Sequence, residues 1–194
     1  MSYIQCIVTS RQVYMASDGR EMIADKIVSE KFKKIRRFNN NVLVGFAGHK
    51  NFCELVLNLV QQNCSICKDV ETIFENINNF SKEIISKNGM LNGQFIVAGQ
   101  FSDSELGFKT LSTNNGYSTI TNKPKCDTDI LFSEAFSDKV GGGVLEMELK
   151  TILKEKNGCI SYDDLEIGMK YAAQKASEID RSVNQEFYLE KIII

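Results

Sequence analysis

The chain has 194 residues, 25 acidic against 23 basic side chains, a formal net charge of −2, 43% hydrophobic residues and a single proline, Pro124. That length and apolar share suit one ordinary domain with a full core, and they exclude a disordered, collagenous or linker-like chain. No apolar run approaches the roughly 18–20 residues of a membrane span, and the near-neutral balance argues against a dedicated nucleic-acid binder.

The N-terminal residues show no basic segment followed by a long apolar stretch, so no secretory signal is expected. Six scattered cysteines, at Cys6, Cys53, Cys64, Cys67, Cys126 and Cys159, are then expected to be reduced thiols in a cytoplasm. Cys64-Ser65-Ile66-Cys67 is the one close pair, and His49 is the sole histidine. A zinc site would lack a second ligand pair, so the pair reads as part of a helix–helix connection.

Residues 4–9 and 12–17 are β-prone and flank Ser10-Arg11, a two-residue hairpin turn. A third β-prone stretch, 21–29, leads to 32–38; the turn cluster 39–41 then opens a continuous apolar run, Val42 to Ala47, typical of a buried strand. The period changes next. Phe52, Val56, Leu59 and Val60 recur at helical spacing, as do Val70, Ile73, Phe74, Ile77, Phe80 and Ile84, ending at the Lys87-Asn88-Gly89 stop signal. Strands resume at 93–101, 107–112 and 117–121. Gly141-Gly142-Gly143 opens a helix with Leu145, Leu149, Ile152 and Leu153 on one face, closed by Asn157-Gly158. Ser161 and Asp164 have capping-box spacing and begin a helix carrying Leu165, Met169, Ala172, Ala173, Ala176 and Ile179. A last strand covers 186–194. Antiparallel strand blocks alternating with helix pairs predict one α+β domain over residues 1–194. Its expected form is a four-layer α/β/β/α sandwich of two antiparallel sheets.

Three segments carry a family resemblance. Met15-Ala16-Ser17-Asp18-Gly19-Arg20, Lys33-Lys34-Ile35-Arg36-Arg37 and Val42–Gly48 are similar to the N-terminal-nucleophile (Ntn) peptidases of the proteasome β-subunit and bacterial HslV type. By the family's separations from Asp18, the resemblance places the nucleophile at Ser2, exposed once Met1 is removed, the lysine at Lys34 and the oxyanion glycine at Gly48. It implies a catalytic set of Ser2, Asp18, Lys34 and Gly48 acting on a peptide or unfolded-protein substrate. It further implies a homo-oligomeric ring enclosing the active sites, fed by an ATP-dependent unfoldase, with no cofactor and no metal.

The chemistry explains these residue types. A serine hydroxyl requires an adjacent base, and a free α-amine, with a pKa of about 7.7–8.0, supplies one near neutrality. A Lys34 ammonium would keep that amine neutral, Asp18 would keep Lys34 charged, and the Gly48 N–H would donate to the oxyanion. Taken singly, each residue has a plainer reading. Ser2 is a terminal serine, Asp18 a turn residue in Asp-Gly, Lys34 part of a solvated basic run or polyanion patch from Lys31 to Arg37, and Gly48 a strand cap. Lys33 competes with Lys34, because strand alternation sends the two to opposite faces.

The chain departs from the family pattern in four places. Serine replaces the usual threonine at residue 2. Gly141 stands where a serine is common. Asp180 or Ser182 stands in for the family's supporting Asp-x-x-Ser-Gly segment, and Asn51 or Phe52 stands where an acidic residue follows the glycine. A catalytically inactive relative, serving as a structural or scaffold subunit of a ring, is the alternative reading.

Overall fold

The computed structural model describes residues 2–23, 26–63, 69–113, 118–135 and 139–194. The strands β1 (Ile4–Val8), β2 (Gln12–Asp18), β3 (Glu21–Ile23), β4 (Lys26–Ser29), β5 (Ile35–Asn39) and β6 (Val42–Gly48) come first. The helices α1 (Lys50–Asn63) and α2 (Val70–Asn88) follow, then β7 (Gly93–Gln100), β8 (Leu106–Ser112), β9 (Ser118–Asn122) and β10 (Leu131–Ala135). Helices α3 (Val144–Glu155) and α4 (Tyr162–Ile179) precede the last strand, β11 (Phe187–Ile193). One sheet has the order β10-β1-β2-β11 and the other β5-β6-β7-β8-β9, all neighbours antiparallel, and β3 and β4 form a separate two-stranded ribbon.

Three apolar layers hold the two sheets and two helix pairs together. Between the sheets, Ile4, Cys6, Val8, Val13 and Met15 meet Leu43, Ala47, Ile96, Ala98 and Phe108. Val44, Phe46, Phe95 and Val97 turn the other way, onto Phe52, Val56, Leu57, Val60, Ile73 and Ile77 of α1 and α2. Tyr3, Ile7, Tyr14 and Ala16 pack on Leu145, Leu149, Leu165, Met169, Ala172 and Ala176 of α3 and α4. Successive strand residues thus face opposite apolar layers, which is why β6 reads as a continuous hydrophobic run rather than as an alternating one. The sheets approach closely at Gly45, where an added Cβ would lie 2.6 Å from Ile4 and 2.9 Å from Met15. This is the expected four-layer α/β/β/α sandwich.

Three local expectations are corrected. The stretch 21–29 is not one strand: it folds into the β3–β4 hairpin, with a register irregularity between Glu21 and Met22. Residues 32–34 lie outside any strand, and β5 begins only at Ile35. Strand β10 is not among the expected strands; among the described residues it is an edge strand pairing only with β1, and most of it is half-buried, so no periodic pattern announces it. The thiols at Cys64 and Cys67 lie outside the described residues.

Candidate active site

The ends of β1, β2 and β6 and the segment before β5 meet at one edge of the sandwich. The β1–β2 ladder runs to Ile4 opposite Ser17, and beyond it a side chain replaces half of the next rung. Asp18 N–H donates to the Tyr3 carbonyl at 3.1 Å, while Tyr3 N–H donates to Asp18 Oδ1 at 2.8 Å. Lys34 Nζ donates to the same Oδ1 at 2.6 Å, and Arg20 N–H donates to Oδ2 at 2.9 Å. Asp18 is 0% and Lys34 2% exposed, so this is a buried ion pair with its carboxylate met by three donors. Burial pushes the Lys34 ammonium below the ordinary lysine range, and the Asp18 charge opposes that shift.

Their partners decide between the two lysines. Lys33 points outward and pairs with Glu190, which also takes Arg37; Arg36 pairs with Glu54 and Asn58. The basic run Lys31 to Arg37 is therefore largely an ion-paired face with one member, Lys34, turned inside. Ser2 is buried and lines a cavity of about 620 Å³ together with Lys34 and Gly48. Phe32, Phe46, Met22 and Leu91 give the cavity apolar walls. The Glu21–Lys50 pair, at 2.8 Å, closes one side, with the ammonium 4.4 Å from the Phe32 ring centre. Sequence reading had not singled out Glu21 or Lys50, which are separated by 29 residues and meet only in the fold.

Gly48 ends β6 with φ +114°, a backbone conformation that favours glycine. A Cβ there would fall 2.6 Å from the Asn92 carbonyl. Phe46 N–H donates to the Lys34 carbonyl, and the two-residue period of the ladder turns the Gly48 N–H to that same side, past the start of β5. The next amide, of His49, is already used by the Asn92 carbonyl at 2.8 Å. Gly48→Ala is expected to cost on the order of 2 kcal/mol of stability, from positive-φ strain plus the clash. A lower denaturation midpoint at unchanged m would show it.

The segment after α4 reaches the same corner. Gly19 N–H donates to Asn184 Oδ1 at 2.8 Å, and Asn184 Nδ2 donates to the Glu30 carbonyl at 2.9 Å. Arg20 bonds Glu30 and the Arg181 carbonyl. Asp180 and Ser182 are buried beside this contact; Ser182 N–H donates to Asp180 Oδ1 at 2.8 Å, and the Ser182 hydroxyl is buried with no hydrogen-bond partner among the described residues. Asn184 was missed in the sequence because its partners lie 154 and 165 positions away. Gly141 has φ +69° with open space around it. Phe52 is a core residue stacked edge-on against Phe95, whereas Asn51 lines the cavity. Among the described residues, no three His, Cys, Asp or Glu side chains converge to hold a metal ion.

Residues 4–99 match the family model described as Proteasome, proteasome subunit. The chain carries a proteasome-family domain. Solved structures agree with it over nearly the whole chain. Anbu (ancestral beta-subunit) from Yersinia bercovieri is similar with a TM-score of 0.78 at 15% identity, covering 98% of this chain and 81% of that one. Anbu from Pseudomonas aeruginosa, solved as a helical assembly, gives 0.73 at 18%, covering 98% and 81%. Eukaryotic HslV from Trypanosoma brucei gives 0.65 at 15%, covering 99% of both chains. A comparison with curated protein sequences finds no match. At these identities the structures establish the fold alone, which is the proteasome-like Ntn fold shared by Anbu and HslV. Among the described residues no helix is long and apolar enough to cross a membrane.

Proposed function

We propose that this proteasome-type domain is an N-terminal-nucleophile peptidase with Ser2 as nucleophile after removal of Met1, a residue outside the described ones. The observation that carries the reading is the buried Asp18–Lys34 pair beside a buried Ser2, in one cavity with Gly48. Ser2 Oγ attacks the peptide carbonyl carbon while its proton passes to the Ser2 α-amine. The Gly48 N–H stabilises the oxyanion, the amine returns the proton to the leaving nitrogen, and the C–N bond breaks. Water, deprotonated by the same amine, then hydrolyses the Ser2 ester. Lys34 lowers the amine's pKa by its charge, and Asp18 keeps Lys34 in place.

The substrate of this reading is a peptide or unfolded protein. The apolar walls around Phe32, Phe46 and Leu91 suit side chains that a folded protein hides. Assembly into a homo-oligomer, a cytoplasmic location and delivery of substrate by an ATP-dependent unfoldase belong to the same proposal. The helical assembly of the Pseudomonas Anbu supports oligomerisation in this fold.

The pH profile of peptide hydrolysis tests the site's electrostatics. Activity needs a neutral α-amine, so it rises with pH through the amine's pKa, which Lys34 holds below the reference of about 7.7–8.0. Lys34→Gln removes that nearby positive charge and is expected to move the acid limb upward. A flat profile, or one that Lys34→Gln leaves in place, contradicts the assignment.

A further inference from the structure

Tyr3 is held by more of its atoms than any strand position requires. Its backbone bonds Asp18 through both the N–H, to Oδ1 at 2.8 Å, and the carbonyl, from Asp18 N–H at 3.1 Å. Its ring is fully buried in the layer against α3 and α4, and its hydroxyl donates to Glu134 Oε1. Burial, reinforced by the Glu134 charge, raises the phenol's pKa, so the proton stays on Tyr3.

Glu134 is occupied on both oxygens. Oε1 also accepts from Leu145 N–H at 3.0 Å, and Oε2 accepts from Gly143 N–H at 2.7 Å. The N-cap of helix α3 is Gly143, which has no side chain to cap it, so Glu134 on β10 supplies the missing cap. One carboxylate therefore joins the start of α3 to the residue that follows Ser2.

We propose that Tyr3, Glu134 and the first turn of α3 form one buried tether that fixes the direction in which β1 presents Ser2, making Tyr3 and Glu134 positioning residues for the nucleophile. This rests on the reading of Ser2 as the nucleophile. A hydroxyl aimed by its backbone loses rate when that backbone gains freedom, even where the fold is unchanged.

The test is the kinetics of Ser2 acylation by a peptide electrophile in the full chain, for the wild type, Tyr3→Phe, Glu134→Gln and the double variant, with thermal midpoints measured alongside. Tyr3→Phe removes one oxygen and keeps the buried ring, so it decides the question if Glu134→Gln does not fold. The limiting rate of labelling is expected to fall about tenfold in Tyr3→Phe while the half-saturating concentration is unchanged. The double variant is expected to be no slower than the slower single one, because both break the same tether. A Tyr3→Phe limiting rate within twofold of wild type, with only the thermal midpoint lowered, overturns the positioning role, as does additive slowing in the double variant. A correctly processed wild-type chain that is not labelled at all overturns the nucleophile reading, and the positioning role with it.

Discussion

Asp18→Ala is expected to lower the unfolding free energy by about 3–5 kcal/mol, the loss that follows when one member of a buried ion pair is removed. Lys34 is 2% exposed, and its ammonium donates to the Asp18 carboxylate 2.6 Å away. Alanine leaves that charge without its counter-ion and also leaves the N–H groups of Tyr3 and Arg20 without their acceptor. Lys34 then has to shed its proton or draw water into the layer, and either course costs folding energy. Asp18→Asn keeps an oxygen for one donor while placing an amide against another, so it falls between alanine and wild type. Urea unfolding followed by circular dichroism reads the effect as a shift of midpoint at constant slope.

Ser2→Ala is expected to do the reverse. It removes the hydroxyl proposed as nucleophile, so peptide hydrolysis falls by at least about a thousandfold, as when a nucleophile is deleted from a hydrolase. Stability changes by no more than about 0.5 kcal/mol, since the substitution is small and no ion pair is broken. Turnover of a fluorogenic peptide at saturating substrate, next to a denaturation curve of the same sample, gives both numbers. The contrast between the two variants separates architecture from chemistry. In the proposed mechanism Asp18 belongs to both, because the residue that holds Lys34 also closes the β1–β2 ladder, whereas Ser2 belongs to the chemistry alone. A scaffold subunit would show the Asp18 effect and no effect of Ser2→Ala on any function.

Much of this corner was legible in the sequence because its determinants are local. The run Val42 to Ala47 reads as a doubly buried strand, and it is one. Ser161 and Asp164 form the capping box their spacing suggests, with Ser161 N–H donating to Asp164 Oδ2 at 2.9 Å and Asp164 N–H to Ser161 Oγ at 3.2 Å. Lys33 and Lys34 do point to opposite sides, although the segment that carries them precedes β5 rather than forming part of it, and which of them faced inward needed the position of Asp18. What escaped is long-range. Glu134 reaches Tyr3 across 131 positions, and Asn184 reaches Gly19 across 165, so neither leaves a trace in hydrophobic period or turn chemistry. Strand β10 escaped for a related reason: an edge strand needs one good partner rather than a strong pattern of its own. The β3–β4 ribbon shows the converse, since a uniformly β-prone stretch conceals where the chain reverses.

The central claim is that the first residue of the mature chain is a nucleophile. It is tested most directly by intact mass of the protein purified from its native cells, before and after treatment with a peptide electrophile, with the modified residue located by fragmentation. The account predicts a mass lacking Met1 and a single covalent adduct at Ser2, absent from Ser2→Ala. A native chain that retains Met1, or a processed chain whose Ser2 stays unmodified under conditions that label an active proteasome-type peptidase, would contradict it.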